Sequence, residues 1–477
     1  MNAHTVEKIG GTSMADFQAV SRNILIGDRT EEELYNRIFV VSAYGGITDK
    51  LLEHKKTREP GVFALFTGSE SEWAWGDAIT RVGQEMCRIN ARLFKDRADR
   101  KLADHFVKER TEGVRSCLID LHRLCSFGHF KLEEHLLTVR EMLSAIGEAH
   151  SAFNTTLLLQ REGVNAVFID LTGWRDETQP PLDERILTAF ESVDLSSELP
   201  IVTGYAQCAE GLMKSFDRGY SEVTFSRIAC LTGAREAVIH KEYHLSSADP
   251  RVVGEDRVRP IGRTNYDVAD QLSNMGMEAI HPQAAKGLRQ NGIPLRIMNT
   301  FQPHDPGTVI DSEYISETPC AELITGLRTI YAIEVFEQDM VGVHGYDDLI
   351  LQQIARFKVK IVSKDTNANT ITHYVSSPLK NVKRVSAVLK EQLPQAQIKV
   401  RKLAIASVIG SDLNRPGILA EAVAALAEEG IEIVAVHQPM RRVDIQFVME
   451  EDNYEAAIRA LHKRLIEGRP EQARAAA

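Results

Sequence analysis

The sequence contains no apolar run near the roughly 18 residues that a membrane-spanning helix needs, and its first residues lack a cationic then apolar secretion signal. We therefore expect a cytoplasmic protein. Cysteine is scarce: the six residues are scattered without a CxxC pair. Reduced thiols are thus favoured over a disulfide framework or a thiolate metal site. Basic charge is in deficit, and the net charge of -11 argues against nucleic acid or an anionic membrane as partner.

The chain of 477 residues is longer than one hydrophobic core usually supports, so we expect two or three domains. From residue 1 to about 310, short β-branched runs alternate with helical stretches, a pattern typical of an α/β domain with a mainly parallel sheet. Between about 51 and 161 no strand is convincing. Apolar residues there recur at three- and four-residue spacing, as at Leu136, Val139 and Leu143, which predicts a helical insert.

The last third of the chain repeats itself. The order strand, helix, strand, strand, helix is expected from about 328 to 392 and again from about 403 to 465. Two copies of a small α+β sandwich explain this most simply, and two unrelated α+β stretches are the alternative. The predicted boundaries are 1–310 for the α/β domain, 311–324 for a linker, 325–398 and 399–467 for the repeats, and 468–477 for a polar tail expected to fray.

A lysine and two glycines near the amino terminus have the chemistry of a phosphate site. Gly10 and Gly11 lie between a short apolar strand and a helix expected to begin near Ser13. Without side chains the backbone can approach an anion, and the free N–H groups of a helix start favour negative charge. Lys8 adds a full positive charge. The motif alone is weak, since a plain glycine turn beside a solvated lysine fits it too.

Five segments, in chain order, resemble the aspartokinases of the amino acid kinase family. They are Lys8 to Ser13 (KIGGTS), Val40 to Thr48 (VSA followed by GGIT), Gly147-Glu148, Phe216 to Glu222 (FDRGYSE) and Ser247 to Arg251 (SADPR). The paired repeats resemble tandem ACT domains, which bind amino acids at their interfaces. Residues 4–14 are most similar to aspartokinases associated with ectoine synthesis.

The resemblance implies a fold and a reaction. The fold is an amino acid kinase-like, mainly parallel sheet sandwiched by helices, followed by two ACT-like βαββαβ repeats. The reaction is transfer of the ATP γ-phosphoryl group to the β-carboxylate of L-aspartate, which gives 4-phospho-L-aspartate and ADP. That carboxylate is already ionised at neutral pH, so catalysis needs positioning and charge neutralisation rather than a general base. Mg²⁺ is expected on the ATP phosphates, and a homodimer is expected through the ACT-like repeats.

The same resemblance assigns the site residues. Lys8 is implied to stabilise the transferring charge, and Arg218 to clamp a substrate carboxylate, for which a guanidinium fork is suited. Glu148 is expected to take the substrate ammonium. The expected aspartate-binding residues are Thr48, Glu148, Arg218 and Ser221, and the expected nucleotide-binding residues are Lys8, Gly10, Gly11, Ser13, Gly45, Gly46, Lys241, Glu242 and Arg251.

Some charges depart from the family pattern. Glu222 replaces an aspartate, Lys241-Glu242 stand where Thr-Asp is expected, and Glu278 replaces a lysine. We hypothesise that Lys241 takes over the phosphate contact of the missing lysine and is held by an ion pair with Glu278. The alternative is that these positions are exposed and that their residue types have changed without a functional reason. Residues 438–444 replace an effector loop in the second repeat, which predicts weak or altered feedback by lysine or threonine.

Two rival functions stay open at this point. Another kinase of the superfamily, acting on glutamate, N-acetylglutamate or a nucleotide, would share the glycine loops but generally lacks the tandem repeats. A non-catalytic amino-acid sensor with a decayed kinase domain would explain the departures, but Lys8, Glu148 and Arg218 are retained. The segment 170–174 (DLTGW) also resembles a family segment, and its role is open between function and packing.

Overall fold

The computed structural model describes residues 4–55, 57–68, 71–215, 219–277 and 279–468. The chain divides into two compact units, Met1–His244 with Ile280–Ser312 and Leu245–Ala279 with Glu313–Ala477. Within the described residues, no helix is both long enough and apolar enough to cross a membrane.

The strands and helices alternate over much of the chain. The strands are β1 Thr5–Ile9, β2 Arg37–Val41, β3 Ala166–Ile169, β4 Leu199–Thr203, β5 Glu236–Lys241, β6 Arg263–Asn265, β7 Leu295–Asn299, β8 Thr308–Asp311, β9 Leu323–Phe336, β10 Ile361–Thr366, β11 Thr370–Val375, β12 Gln397–Ile409, β13 Ala435–His437 and β14 Asp444–Met449. The α-helices are α1 Gly11–Met14, α2 Phe17–Val20, α3 Glu31–Leu34, α4 Ile47–Leu51, α5 Val62–Gly68, α6 Glu72–Leu93, α7 Arg97–Cys125, α8 Leu136–Arg161, α9 Leu182–Phe190, α10 Leu212–Ser215, α11 Tyr220–Thr232, α12 Pro250–Val253, α13 Tyr266–Asn274, α14 Pro282–Gln290, α15 Tyr346–Arg356, α16 Leu379–Gln392, α17 Ile418–Glu428 and α18 Tyr454–His462.

The first unit is built on a mainly parallel sheet. Its strands lie in the order β3-β4-β2-β1-β5-β7-β8, and β8 alone of these runs antiparallel to its neighbour β7. The residues of β1, β2 and β4 are all buried, as expected for parallel strands covered on both faces. The carboxyl ends of β1, β2, β4, β5 and β7 meet at one edge, where ligands bind in such sheets. The predicted α/β fold class is confirmed.

The regular structure described between β2 and β3 is helical. Helices α4 to α8 cover most of residues 47–161, and α6, α7 and α8 are the longest helices of the unit. Asp96 caps α7, because its side chain accepts the N–H groups of Ala98 and Asp99. Helix α8 is buried over its second half, Leu143 to Thr156 in particular, so it forms one wall of the sheet domain.

The second unit carries a six-stranded antiparallel sheet in the order β10-β11-β9-β12-β14-β13. The predicted order of elements is present twice, as β9-α15-β10-β11-α16 and β12-α17-β13-β14-α18. The two modules are interleaved. Strands β9 and β12 pair along their full lengths, so the first half of β9 completes the second module and the second half of β9 opens the first. The boundary predicted at 398–399 lies inside β12.

Each module has its own apolar core. Buried residues of α15 and α16 pack with Ile333 and Val335 of β9, and those of α17 and α18 pack with Ala406 and Val408 of β12. Helix α13 packs on the other face of the sheet, against the alternate residues of these strands, such as Ile405. Both modules are thus amphipathic elements closed over one continuous sheet.

Candidate active site

Two glycine loops leave the sheet side by side at its carboxyl edge. The Gly10 N–H donates to the carbonyl of His240 at 3.4 Å. A Cβ atom on Gly11 would lie 2.9 Å from the carbonyl oxygen of Ala43, so a glycine is needed for the two loops to approach this closely. Gly45 and Gly46, in the second loop, are exposed. The structure therefore brings together the backbone of both predicted phosphate loops.

Lys8 lies on β1 and points into a cluster of carboxylates. It is 7% exposed, and its Nζ donates to Oε1 of Glu222 at 3.3 Å. The backbone N–H of His281 donates to Oε2 of Glu222 at 2.6 Å. Burial acts to raise the pKa of Glu222, but the positive charges of Lys8 and Lys241 and the His281 N–H outweigh it and hold that pKa below its ordinary value. Glu222 is therefore an ionised partner for Lys8.

Glu148 differs from Glu222 although it also faces Lys8. It is 3% exposed on α8, and burial raises its pKa to about 8, against the opposing charge of Lys8 and a hydrogen bond from the Tyr205 backbone N–H. Its Oε2 atom has no hydrogen-bond partner among the described residues. At neutral pH this carboxyl is therefore mostly protonated, and the hydrogen-bonding position at Oε2 is left for a ligand.

Glu148 and Ser221 both lie close to Gly204. A Cβ atom at Gly204 would lie 2.6 Å from the Cβ of Ser221 and 3.0 Å from Oε2 of Glu148. Ser221 is buried in the first turn of α11. Lys8, Glu148, Ser221 and Glu222 thus form one cluster, of which Lys8, Glu148 and Ser221 are predicted site residues.

Other predicted residues lie nearer the ends of the neighbouring strands. The Ser13 hydroxyl is buried and accepts a hydrogen bond from the Thr300 hydroxyl at 3.0 Å. Thr48 is half-buried in α4, directly after the second glycine loop. The carbonyl of Lys241, the last residue of β5, accepts the Thr300 N–H at 2.8 Å, and half-buried Glu242 follows it.

The structure does not test the roles of three further predicted residues. Arg218 lies outside the described residues, and so does Glu278, the proposed partner of Lys241. Arg251 belongs to the second unit, where it lies exposed in α12 and pairs with Asp249 at 2.8 Å. The roles assigned to them stay predictions.

Sequence reasoning missed two contacts. It treated Glu222 as a departure from the family pattern and did not pair it with Lys8, 214 positions away. It also overlooked Gly204 and Tyr205. The sequence could have indicated them, because a glycine directly follows Thr203, the last residue of β4, at the sheet edge where ligands bind.

The cysteine side chains form no disulfide bond in the part of the chain that the structure describes. All six cysteines are free thiols. Among the described residues, no group of three or more His, Cys, Asp or Glu side chains is arranged to hold a metal ion.

Comparison with known proteins identifies the family. The model of the amino acid kinase family matches residues 4–299, and an ACT domain model matches residues 395–463. The aspartate kinase Ask_Ect of Stutzerimonas stutzeri (strain A1501) is 55% identical over 464 residues, covering 97% of this chain and 98% of that protein. The aspartokinase of Schizosaccharomyces pombe is 26% identical over 97% of this chain and 92% of its own.

Solved structures share the fold. The aspartate kinase of Clostridium acetobutylicum superposes with a TM-score of 0.71 at 18% identity, over 97% of this chain and 100% of the other. Aspartokinase III of E. coli, in complex with aspartate and ADP, gives 0.70 at 18% identity over the same shares. The family model and the 55% identity to Ask_Ect define a phosphotransferase of small molecules. The chain belongs to the amino acid kinase family and, within it, to the aspartate kinases, which confirms the predicted family.

Proposed function

We propose that this chain transfers the γ-phosphoryl group of ATP to the β-carboxylate of L-aspartate, giving 4-phospho-L-aspartate and ADP. The observation that carries the proposal is the buried Lys8 ammonium, set between Glu148 and Glu222 beside two glycine loops. The 55% identity to Ask_Ect over nearly the whole chain supports the choice of substrate.

The reaction brings two anions together, and Lys8 meets that need. The attacking carboxylate and the ATP phosphates repel each other, and a fixed ammonium in a water-poor site offsets this repulsion best where charge builds up on the transferring group. Phosphate oxygens compete with Glu222 for the Nζ of Lys8. Glu222, held by the His281 N–H, keeps the ammonium aimed at the edge of the sheet until they arrive.

Aspartate is recognised by opposite charges at its two ends. The substrate ammonium approaches Oε2 of Glu148, and its positive charge favours the ionised carboxylate, so binding expels the proton that Glu148 carries in the free protein. Ser221 offers a hydroxyl next to the same oxygen. Arg218 clamps a substrate carboxylate through its guanidinium fork.

The remaining assignments concern the nucleotide. The backbones of Gly10, Gly11, Gly45 and Gly46 cradle its phosphates, and Lys241, whose charge already acts on Glu222, supplies a second cation. Mg²⁺ fits without a protein cage because it binds mostly through phosphate oxygens and water. When bound, this ion neutralises charge on the phosphates.

Assembly and pathway are part of the proposal. The enzyme works in the cytoplasm as a homodimer joined through its ACT-like modules, whose edge strands β10 and β13 expose the apolar side chains of Ile361 and Val436. Its product feeds ectoine synthesis. The likeness of residues 4–14 to aspartokinases of that pathway, and the identity to Ask_Ect, support this role.

A hydroxylamine trap tests the reaction. Incubation with ATP, Mg²⁺, L-aspartate and hydroxylamine is expected to give aspartyl hydroxamate, and glutamate or N-acetylglutamate in place of aspartate is expected to give no hydroxamate. A protein that forms no hydroxamate from aspartate but still binds amino acids would be a sensor, and the proposal would be abandoned.

A further inference from the structure

A cavity of about 290 Å³ lies in the first unit, outside the cluster around Lys8. Helices α7 and α8 and the segments 172–179 and 205–207 contribute its walls. This volume is near the lower end of ordinary small-molecule sites, roughly 300–1,000 Å³. None of the predicted site residues that the structure describes lines it.

The segment 170–174, whose role the sequence left open, builds one wall. The Trp174 ring packs against the backbone of Gly113, where a Cβ atom would lie 2.7 Å from Cη2. The Arg110 guanidinium stacks 4.6 Å from the centre of the same ring and bonds Asp170 at 2.5 Å and Thr172 at 3.1 Å. Asp170 and Thr172 therefore hold the Arg110 guanidinium against the ring of Trp174.

The indole of Trp174 carries a donor without an acceptor. Its Nε1 atom is buried and has no hydrogen-bond partner among the described residues. A buried N–H without an acceptor is unfavourable, and native structures rarely keep one. Because Trp174 lines the cavity, a hydrogen-bond acceptor inside the cavity would satisfy it.

The other walls of the cavity determine which chemical groups a ligand could place there. Met142, Ala145 and Ile146 of α8 contribute aliphatic side chains to the lining. Arg110, which is paired with Asp170, and Arg175, which is paired with Glu109 at 3.4 Å, also line the space. Glu141, the one acidic side chain in the lining, is half-buried, and burial raises its pKa. A guanidinium group carries five N–H donors, more than one ion pair uses, so the polar part of the cavity still offers hydrogen-bond donors.

We propose that this cavity binds a small organic carboxylate with a short aliphatic body. The carboxylate accepts the Trp174 Nε1–H, near the two guanidinium groups, and the aliphatic body packs on Met142, Ala145 and Ile146. The site is separate from the one assigned to aspartate.

A ligand in the cavity would affect Glu148 through Tyr205. The Tyr205 side chain lines the cavity and hydrogen-bonds Glu141, whereas its backbone N–H bonds Glu148. Glu141 and Glu148 also share one face of α8, two turns or about 10 Å apart. A bound carboxylate that moves Glu141 or Tyr205 therefore changes the affinity for aspartate. This coupling rests on the proposed function; the binding itself does not.

Differential alkylation tests the binding. Cys117 is exposed and lines the cavity, whereas Cys125, on the same helix, does not line it and serves as the internal control. With 4-methylpentanoate as the probe, iodoacetamide labelling of Cys117 is expected to slow at least tenfold at saturation, while labelling of Cys125 is unchanged. Each methylene removed from the acid is expected to weaken protection roughly fourfold.

Two controls can overturn the assignment. Trp174→Phe keeps a ring but removes the N–H, and it is expected to weaken protection at least tenfold. The neutral 4-methylpentan-1-ol is expected to give no protection. Unprotected Cys117 in the presence of the acid, equal protection in the variant, or equal protection by the alcohol would each refute the carboxylate site.

Kinetics test the coupling separately. Saturating 4-methylpentanoate is expected to change the KM for aspartate at least threefold and to leave the KM for ATP unchanged. Protection of Cys117 with unaltered kinetics would refute the coupling but keep the site. An enzyme that makes no hydroxamate at all would refute the proposed function, and the alkylation result would still stand.

Discussion

Glu7 and Glu148 are two buried carboxyl groups on opposite faces of one sheet, and their surroundings differ. On the face of Glu7, Arg37 donates through Nε at 2.8 Å, His240 contacts Oε2 at 2.8 Å, and the Thr5 hydroxyl donates at 2.9 Å. Burial acts to raise the pKa of Glu7, but Arg37 and His240 outweigh it and hold that pKa well below its ordinary value. Glu148 is as buried but keeps an unpartnered oxygen and a raised pKa.

The difference separates structure from function within a single strand. Glu7 and Lys8 are neighbours on β1 and point to opposite faces. The Glu7 face is saturated with partners, as a network that stabilises the fold should be. On the Lys8 face, one carboxyl oxygen is left for a ligand. Buried charge alone does not mark an active site; buried charge with an unfilled partner position does.

The largest expected effect is the loss of Lys8. Lys8→Met keeps an unbranched side chain that is one atom shorter, but it removes the charge that offsets phosphate repulsion. Hydroxamate formation is expected to fall by about 10³- to 10⁵-fold in kcat, the range seen when a cation is removed from phosphoryl transfer. Exposed Lys286→Met is the matched control and is expected to keep full activity. A Lys8→Met enzyme within tenfold of the parent would contradict the role of Lys8.

The next effect concerns the saturated face. Arg37→Met removes the cation beside buried Glu7, which keeps only His240 and Thr5 of the three partners named above. It also leaves the carbonyls of Ile24 and Leu25 without their Arg37 donor. The free energy of unfolding in urea is expected to fall by about 3–5 kcal/mol. Activity of the remaining folded enzyme is expected to change less than threefold. Exposed Arg123→Met, the control, should leave stability unchanged. A large loss of kcat with unchanged stability would reverse the contrast between the faces.

Replacing Glu148 gives a smaller effect of another kind. Glu148→Gln keeps the shape but removes the charge, so the KM for aspartate is expected to rise about tenfold to a hundredfold, as for a lost charge-assisted hydrogen bond. Steady-state kinetics at pH 8 measure this, with exposed Glu162→Gln as control. Calorimetry at pH 7 in buffers of different ionisation enthalpy should show release of about one proton on aspartate binding, absent in the variant. An unchanged KM would remove Glu148 from the substrate site.

The smallest effect is a pair of opposite pH dependences. Because the pKa of Glu148 is raised to about 8, the folded state holds the Glu148 proton more tightly than the unfolded state does. The stability that this proton contributes is complete below about pH 4.5 and is lost as pH rises towards 8. Relative to Glu148→Gln, the parent should therefore lose stability over that range, by at most about 1.4 kcal/mol per pH unit. Relative to Glu7→Gln, it should instead lose stability as pH falls below about 4.5. Denaturant titrations that give both differences the same sign would disprove the assigned pKa directions.

Local patterns predicted much of the site. The sequence could predict the roles of Lys8, Gly10, Gly11 and Glu148, because strand ends and family motifs are local features. The ion pair between Lys8 and Glu222 was not, because nothing local links residues 214 positions apart. The raised pKa of Glu148 was equally hidden, since it depends on burial that only the packing of α8 creates.

The fold shows the same limit. The alternation of elements and the double repeat were predicted from periodicity. The pairing of β9 with β12 was not, because strand partners are set by tertiary packing. The replaced loop at 438–444 was noticed for its charge, and Arg441 in it donates through Nε to Asp267 of α13 at 3.0 Å. The predicted weak feedback by lysine or threonine stays a prediction.

The interleaving of the modules sets an order of events during synthesis. Leu323 at the start of β9 pairs with Ile409, which leaves the ribosome 86 residues later. At roughly 5–20 residues per second, the first half of β9 waits several seconds or more for its partner, while the second half can already pair with β11 on its other side. A nascent chain stalled near residue 400 thus presents a bare strand edge, open to pairing with another chain until translation resumes.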